Sequence, residues 1–409
     1  MVPTPWHSRL RTAGIVLLLL CVLAGVLFSF LLPSTVRFSD EGEYLTLTRN
    51  LLHGPGYSMD GVHLTAMRPP GYSFFLAAIE ALGGGMVAMR IVQYFLFAGT
   101  ILLICRLFPA NNRFVSVLVV TGVVMVYPVL FYTSSTLYPQ TLAGFLFMLA
   151  LTFLISAGRG FAPSLAAGLT FGVLILVVPT FLFTLIVVVA TALMLKIVRW
   201  HNALLILVAA SLLIGPWTAR NAVQFHRFVP VASNSGANFL IGNCETTIPT
   251  GGSGNVDRTR YQREARTLGL DEFQEDNYYR QAAVTWIKGH PGQAVVLYFE
   301  KAANFFNVYN EFAPETQAEV STWKQTVLGI GYGLLLALLA WRLVEMKRFP
   351  LTTQEKLFLI VYVLSAFTSA IFFTRIRLRL PYDYLIVAVV ALHVGRRLGA
   401  LFPSQREIK

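Results

Sequence analysis

The stretch Ile15-Val16-Leu17-Leu18-Leu19-Leu20-Cys21-Val22-Leu23-Ala24-Gly25-Val26-Leu27-Phe28-Ser29-Phe30-Leu31-Leu32 carries no charged residue. As a helix rising about 1.5 Å per residue it nearly matches the roughly 30 Å hydrocarbon core of a bilayer. A signal peptide has a shorter apolar core, about 7–15 residues, followed by a small-x-small cleavage site. Here Phe28-Ser29-Phe30-Leu31-Leu32-Pro33 follows, so the run reads as a retained anchor. Arg9 and Arg11 before it place the N-terminus in the cytoplasm by the positive-inside rule. Directly beyond it comes Phe38-Ser39-Asp40-Glu41-Gly42-Glu43-Tyr44, with three carboxylates where the chain emerges into water. Clustered negative charge at a membrane edge is costly unless it is used. The acids are therefore read as the centre of a site, and alternatively as the cap of a surface helix.

Composition agrees with a membrane protein. Hydrophobic residues make up 56% and charged residues 13% of the 409-residue chain, and the mean hydropathy is +0.63. Soluble domains are roughly 45–50% apolar and about 25% charged. The net charge of +12 lies in short links between apolar runs, forming no basic domain, which argues against a nucleic-acid partner. Cys21 and Cys105 lie in apolar runs and Cys244 in a polar segment, a pattern that predicts no disulfide framework.

Further apolar segments recur at about Ile91–Leu107, Phe114–Phe131, Leu137–Ile155, Leu165–Val178, Phe181–Leu195, Leu204–Trp217, Gln325–Leu343, Leu357–Phe373 and Leu380–Val394. The expected fold is an all-α polytopic membrane protein of about ten transmembrane helices with both termini cytoplasmic. Tyr72–Leu82 is too short to cross and opens with Pro69-Pro70-Gly71; a helix against the outer membrane face is predicted. Residues 1–217 form an N-terminal transmembrane module whose outward loop, 33–89, carries the acids. Residues 218–324 form an extracytoplasmic, helix-rich subdomain with a Gly/Ser/Thr-rich loop at Thr250–Gly254, and 325–409 a C-terminal transmembrane module. Gly168-x-x-x-Gly172 and Gly329-x-x-x-Gly333 predict close helix packing.

In a helix starting near Asp40, positions 40, 43 and 44 share a face and Glu41 points about 100° away. One carboxylate can act as base and another as its electrostatic partner or a metal ligand; Asp40 with Glu43 equally matches a capping box. Thr374-Arg375-Ile376-Arg377-Leu378-Arg379-Leu380-Pro381 falls outside against the positive-inside trend. Alternate spacing in an extended stretch would line the three arginines on one face for a phosphate, with lipid headgroups the competing ligand. Ala66-Met67-Arg68-Pro69-Pro70-Gly71-Tyr72 is a rigid turn that aims Arg68 and Tyr72. His53, His63, His226 and His290 show no zinc spacing, and no Walker loop, dinucleotide fingerprint or Gly-x-Ser-x-Gly elbow occurs.

Taken in order, Asp40-Glu41-Gly42-Glu43-Tyr44, Arg68-Pro69-Pro70-Gly71-Tyr72, Arg90-Ile91-Val92-Gln93, Pro216-Trp217-Thr218-Ala219-Arg220-Asn221, Asn238-Phe239-Leu240-Ile241-Gly242-Asn243 and Arg377-Leu378-Arg379-Leu380-Pro381 resemble the GT-C membrane glycosyltransferases. The resemblance is to bacterial relatives of protein O-mannosyltransferases and lipid A aminoarabinose transferases. It implies transfer of a sugar from a polyprenyl-phosphate donor to a glycan, lipid or protein acceptor at the extracytoplasmic face of the bacterial inner membrane. It implies Asp40 as catalytic carboxylate, with Glu41 beside it. Glu43, Tyr44, Arg68 and Tyr72 would contact the acceptor, and Arg375, Arg377, Arg379 and Arg220 the donor phosphate. A divalent metal, Mg or Mn, is a possible cofactor at the acids. Two departures stand out: Tyr138-Pro139-Gln140 lacks the family's acid, and Val177-Val178-Pro179-Thr180 lacks its arginine. The alternatives are a flippase for a lipid-linked glycan, or a non-catalytic assembly subunit of the same fold. A transporter, however, needs ionisable residues midway through its spans, and here they sit almost wholly at span ends.

Overall fold

The computed structural model describes residues 5–158, 160–249, 258–308 and 322–401. The helices, in order, are α1 (Pro5–Leu31), α2 (Ser39–His53), α3 (Pro70–Ala81), α4 (Met86–Arg106), α5 (Ser116–Val126), α6 (Val129–Thr133), α7 (Gln140–Ala157), α8 (Phe161–Val177) and α9 (Phe181–Met194). They continue with α10 (Trp200–Phe225), α11 (Ser235–Ile241), α12 (Arg258–Thr267), α13 (Glu272–Gly289), α14 (Pro291–Asn304), α15 (Thr322–Val344), α16 (Thr353–Ala370) and α17 (Ile376–Leu401). Among the described residues the only β pairing is the isolated bridge Ser58–Leu64. The fold is all-α, as the succession of apolar runs predicts.

All ten apolar segments are mainly helical. Among the described residues, six stretches are long and apolar enough to cross a membrane: Trp6–Leu31, Met86–Cys105, Gln140–Ala157, Trp200–Phe225, Gly329–Lys347 and Ile376–Ala400. The chain is an integral membrane protein. Ala110–Val126, Phe161–Val177 and Phe181–Met194 are shorter apolar helical stretches, and α16 opens with Glu355 and Lys356. A 14-residue helix such as α9 reaches only about 21 Å. The count of ten thus separates into six full-length spans and four shorter or more polar helices.

Position in the bundle follows composition. The apolar window of α17 is 89% buried, against 28% for those of α1, α10 and α15. A helix apolar all round belongs in the interior, and Leu385 to Ala391 of α17 are fully enclosed. α5, α7, α15 and α16 surround it. α8 lies tightly against α10: a methyl at Gly168 would fall 2.5 Å from the Ile206 carbonyl oxygen, and one at Gly172 2.8 Å from Leu213 Cβ. That is the close packing the small-residue spacing predicts.

Two segments between the spans, expected from the sequence to face outward, pack together. In the first, α2 packs on α3, and α3 on α8. At 12 residues α3 is too short to span, and Pro70 occupies its first turn, where the missing N–H costs nothing. In the second, α10 continues past the expected boundary at Trp217 to Phe225, with Pro216 inside it. Within the segment, α12 and α13 are rich in charge, and Asp271 caps α13 through a capping box with Gln274. α14 follows directly, with Pro291 in its first turn. Leu240, Ile241, Cys244, Ala265, Tyr279, Ala283 and Phe373 form a small second core there. Glu272 ties the outward segments together, accepting from the Thr65 hydroxyl at 2.5 Å, the Ala66 N–H at 3.0 Å and the Ser233 hydroxyl. The three cysteines are buried and free. The Gly/Ser/Thr-rich loop Thr250–Gly254 lies outside the described residues.

Candidate active site

α2 starts one residue before Asp40. Phe38 is its extended N-cap residue and offers no side-chain cap. Asp40 and Glu43, one turn apart, share a face, and Arg68 spans both: Nη2 donates to Asp40 Oδ1 and Nε to Glu43 Oε2, each at 2.6 Å. The Tyr57 hydroxyl holds the turn behind Arg68, 3.0 Å from the Arg68 and Pro69 carbonyls. From the other end of the chain, Arg377 Nη1 donates to Asp40 Oδ2 at 2.6 Å. The Arg377 guanidinium lies over the Tyr138 ring at 4.8 Å, and that ring packs on Phe38 at 5.4 Å. Each Asp40 oxygen therefore carries one guanidinium.

The centre is partly open: side-chain exposure is 17% for Asp40, 20% for Arg68, 30% for Glu43 and 12% for Arg377. Burial by itself would raise the pKa of Asp40. The charges and hydrogen bonds of Arg377 and Arg68 overcome it and hold the carboxyl down at about 2.

The other expected site residues divide. Tyr44 and Tyr72 are buried beneath the centre, meeting edge-on at 5.0 Å, with Arg68 over the Tyr44 ring at 5.6 Å. The Tyr72 hydroxyl donates to Gln93 Oε1 at 3.2 Å. They support Arg68 from below rather than face an acceptor. Glu41 is fully enclosed and points away, accepting from the Arg37 and Leu137 N–H groups at 2.9 Å each. It pins the start of α2 to the segment before α7. That geometry replaces the expected catalytic role, and also the Asp40–Glu43 capping box.

The arginine triplet is a second correction. The chain is helical from Ile376, so positions two apart point about 200° apart rather than along one face. Arg377 reaches Asp40, whereas Arg379 turns into the bundle. Its Nε lies 3.2 Å from Asp383 Oδ2, Nη1 donates to the Phe305 and Asn307 carbonyls at 2.7 and 3.1 Å, and Nη2 to the Tyr127 hydroxyl at 3.1 Å. The Tyr332 ring lies 3.5 Å from the guanidinium carbon. Every face of Arg379 is engaged, leaving none for a phosphate. Arg375 is buried over the Phe373 ring at 5.1 Å. Arg220 donates to the Thr65 carbonyl and Asn221 Oδ1 at 2.9 Å and stacks on Trp217 and Phe225. It braces the first outward segment.

Sequence reasoning passed over Asp383. Its carboxylate takes Tyr362 at 2.8 Å on one oxygen, and Tyr127 at 2.8 Å with Arg379 on the other. The Arg-x-x-x-Asp spacing on an expected helix is the signal that could have found it. Lys301 carries no such signal. Fully buried on α14, its Nζ donates to the Gly242 carbonyl at 2.7 Å, the Phe372 carbonyl at 2.9 Å and Asn243 Oδ1 at 3.1 Å. Asn304 adds a bond to Thr374 Oγ1 at 2.9 Å. Together they fix the crossing that delivers Arg377.

A divalent metal does not fit this centre. Among the described residues no three His, Cys, Asp or Glu side chains gather as a metal site. Asp40 and Glu43 already face guanidinium groups, which a cation would have to displace against like charge. Gln140, at the start of α7 where the family pattern has an acid, is buried with Oε1 unpartnered.

No family model matches the chain, and no curated protein matches it. Among solved structures it is similar to ArnT from Cupriavidus metallidurans bound to undecaprenyl phosphate, with 13% identity, 95% of this chain and 79% of that chain covered, and a TM-score of 0.44. The apo state of the same protein matches with 14% identity over 94% and 78% at a TM-score of 0.41. Likeness at this level says nothing about chemistry, which rests on the site itself.

Proposed function

We propose that the chain is an inverting glycosyltransferase that moves a sugar from a polyprenyl-phosphate carrier to an acceptor hydroxyl at the extracytoplasmic membrane face. The observation that supports it is the Asp40 carboxylate held between Arg68 and Arg377 at the end of a membrane bundle. Such a centre pairs a proton acceptor with two cations able to receive a phosphate. Arg377 and Arg397 sit near opposite ends of α17, about 30 Å apart along the axis. Arg396 and Arg397, at the far end of α17, then fall on the cytoplasmic side if Asp40 faces outward.

At about 2, Asp40 is a weak base while both guanidinium groups hold it. An arriving phosphate competes for the same donors; as they turn to it, the carboxylate loses its stabilising charges and gains basicity. The acceptor hydroxyl then gives its proton to Asp40 as its oxygen bonds to the anomeric carbon. The bond from that carbon to the phosphate oxygen breaks, and the electron pair leaves on the polyprenyl phosphate. Arg377 and Arg68 stabilise that charge. One displacement inverts the anomeric centre.

The test is to incubate purified protein with a polyprenyl-phosphate sugar, with and without acceptor. Acceptor-dependent release of polyprenyl phosphate and a product of inverted configuration are expected; retention, or release that ignores the acceptor, refutes the reading. The Arg379–Asp383 pair lies in the first turns of α17 rather than midway along the span, where a transporter would need one. Its hydrogen bonds to tyrosines and carbonyls leave no donor free for a cargo.

A further inference from the structure

We propose that Arg37 and Arg90 form a seat for a lipid phosphate at the membrane edge, separate from the Asp40 centre. Arg90, in the second turn of α4, is fully buried, yet it makes one hydrogen bond: Nη1 to the Pro33 carbonyl at 3.0 Å. Its Nε and Nη2 are buried without a partner. Arg37, on the segment joining α1 to α2, donates through Nη2 to the Ser135 carbonyl at 2.5 Å and its hydroxyl at 3.3 Å, and its Nε is also buried and unpartnered. Arg37 bonds Ser135, and Gln93, one turn on from Arg90 along α4, donates to the Thr136 carbonyl at 2.6 Å, so the two guanidinium groups approach the same loop and feel each other's charge. A buried guanidinium nitrogen with no acceptor is costly, and three of them on two neighbouring like charges are costlier still.

The nearest acid does not resolve the deficit. Glu41 acts on Arg90 by charge, but its two oxygens receive the Arg37 and Leu137 backbone N–H groups. Around the start of α2, Arg37, Arg68, Arg90 and Arg377 face Asp40, Glu41 and Glu43, which leaves one positive charge over. Arg68 and Arg377 are matched by Asp40 and Glu43, so the surplus sits at Arg37 and Arg90. An oxyanion with several acceptor oxygens answers both the charge and the three free donors; a phosphate does so, and guanidinium forks bind it by paired hydrogen bonds. The surroundings name its carrier. Leu31, two residues before the Pro33 that accepts from Arg90, and Val36, next to Arg37 in the chain, are exposed apolar side chains. A phosphate bearing hydrocarbon chains lays those chains there and its headgroup on the arginines.

The phosphate can belong to a polyprenyl carrier or to an anionic phospholipid. Delipidated protein in neutral detergent is offered farnesyl phosphate, phosphatidylglycerol or inorganic phosphate, with farnesol and phosphatidylcholine as controls. Bound probe is counted by native mass spectrometry. Wild type retains a phosphate-bearing lipid over its neutral control, and the better of the two names the source. Arg37→Gln, at a partly exposed position, weakens retention about tenfold, and Arg90→Lys, which keeps the charge and loses the fork, weakens it less. Arg377→Ala leaves this binding in place, so the seat stands or falls apart from the transferase reading. Equal retention of phosphate and neutral lipids by wild type, inorganic phosphate binding as well as the lipids, or loss in Arg377→Ala with none in Arg37→Gln overturns the proposal.

Discussion

Arg379→Met separates a structural arginine from a phosphate-binding one. Arg379 is 1% exposed, and its removal leaves the Asp383 carboxylate, 0% exposed, with only the Tyr127 and Tyr362 hydroxyls. Breaking a buried ion pair from one side costs about 3–5 kcal/mol, because the remaining charge loses its counter-ion while staying desolvated. The Phe305 and Asn307 carbonyls lose their donor as well, adding about 1 kcal/mol or more each if no water replaces it. Replacing both partners, Arg379→Met with Asp383→Leu, removes the stranded charge and is expected to recover a large part of the loss. The assay is thermal unfolding of purified protein by intrinsic fluorescence at one scan rate, with the single variants and the pair side by side. The account predicts that each single variant melts well below wild type and that the pair melts above Arg379→Met, a non-additivity that contact between the residues requires. Melting of Arg379→Met with the wild type, together with weaker donor binding, would refute the structural assignment and return Arg379 to the phosphate.

Three further outcomes are expected. Gly242→Ala places a methyl against the Phe372 carbonyl oxygen and pushes the crossing before α17, so it should lower both melting temperature and turnover, whereas Gly289→Ala, with open space around it, should change neither. Asp40 titrates lower in the folded chain than its usual value near 3.9, so its contribution of about 2 kcal/mol is complete above pH ~4 and is lost as the pH falls towards 2; acid unfolding of Asp40→Asn should lack that part of the slope. Lys301→Met strips donors from the Gly242 and Phe372 carbonyls and Asn243 Oδ1, and should destabilise by about 1–3 kcal/mol while Lys301→Arg keeps part of it, as chemical denaturation would show.

The apolar runs made the helices legible, because a bilayer enforces length and composition on each span. The pairing of Asp40 and Glu43 on one face, with Arg68 aimed by its prolines, was legible too, since helical spacing and proline stiffness are local. The arginine triplet misled because a two-residue period was assumed where the chain turns with a period of 3.6, so Arg377 and Arg379 serve different ends. Glu41 reads like its neighbours in sequence, and only the fold brings Leu137 to it. Lys301 and Glu272 gain their roles from segments far along the chain, Phe372 and Thr65 among them, and no spacing rule announces such contacts. Asp383 was within reach: a single acid in an apolar helix, one turn from an arginine, calls for a partner.

The central claim is that Asp40 accepts the proton while Arg377 and Arg68 serve the phosphate. The direct measurement is steady-state transfer by Asp40→Asn, checked by fluorescence for a wild-type fold at neutral pH. Loss of a general base typically costs about 10²–10⁴ in rate. The account predicts a fall of that size in kcat, with the KM for the polyprenyl-phosphate donor unchanged or lower, because the carboxylate no longer competes for the arginines. Wild-type kcat in a folded Asp40→Asn protein would contradict it.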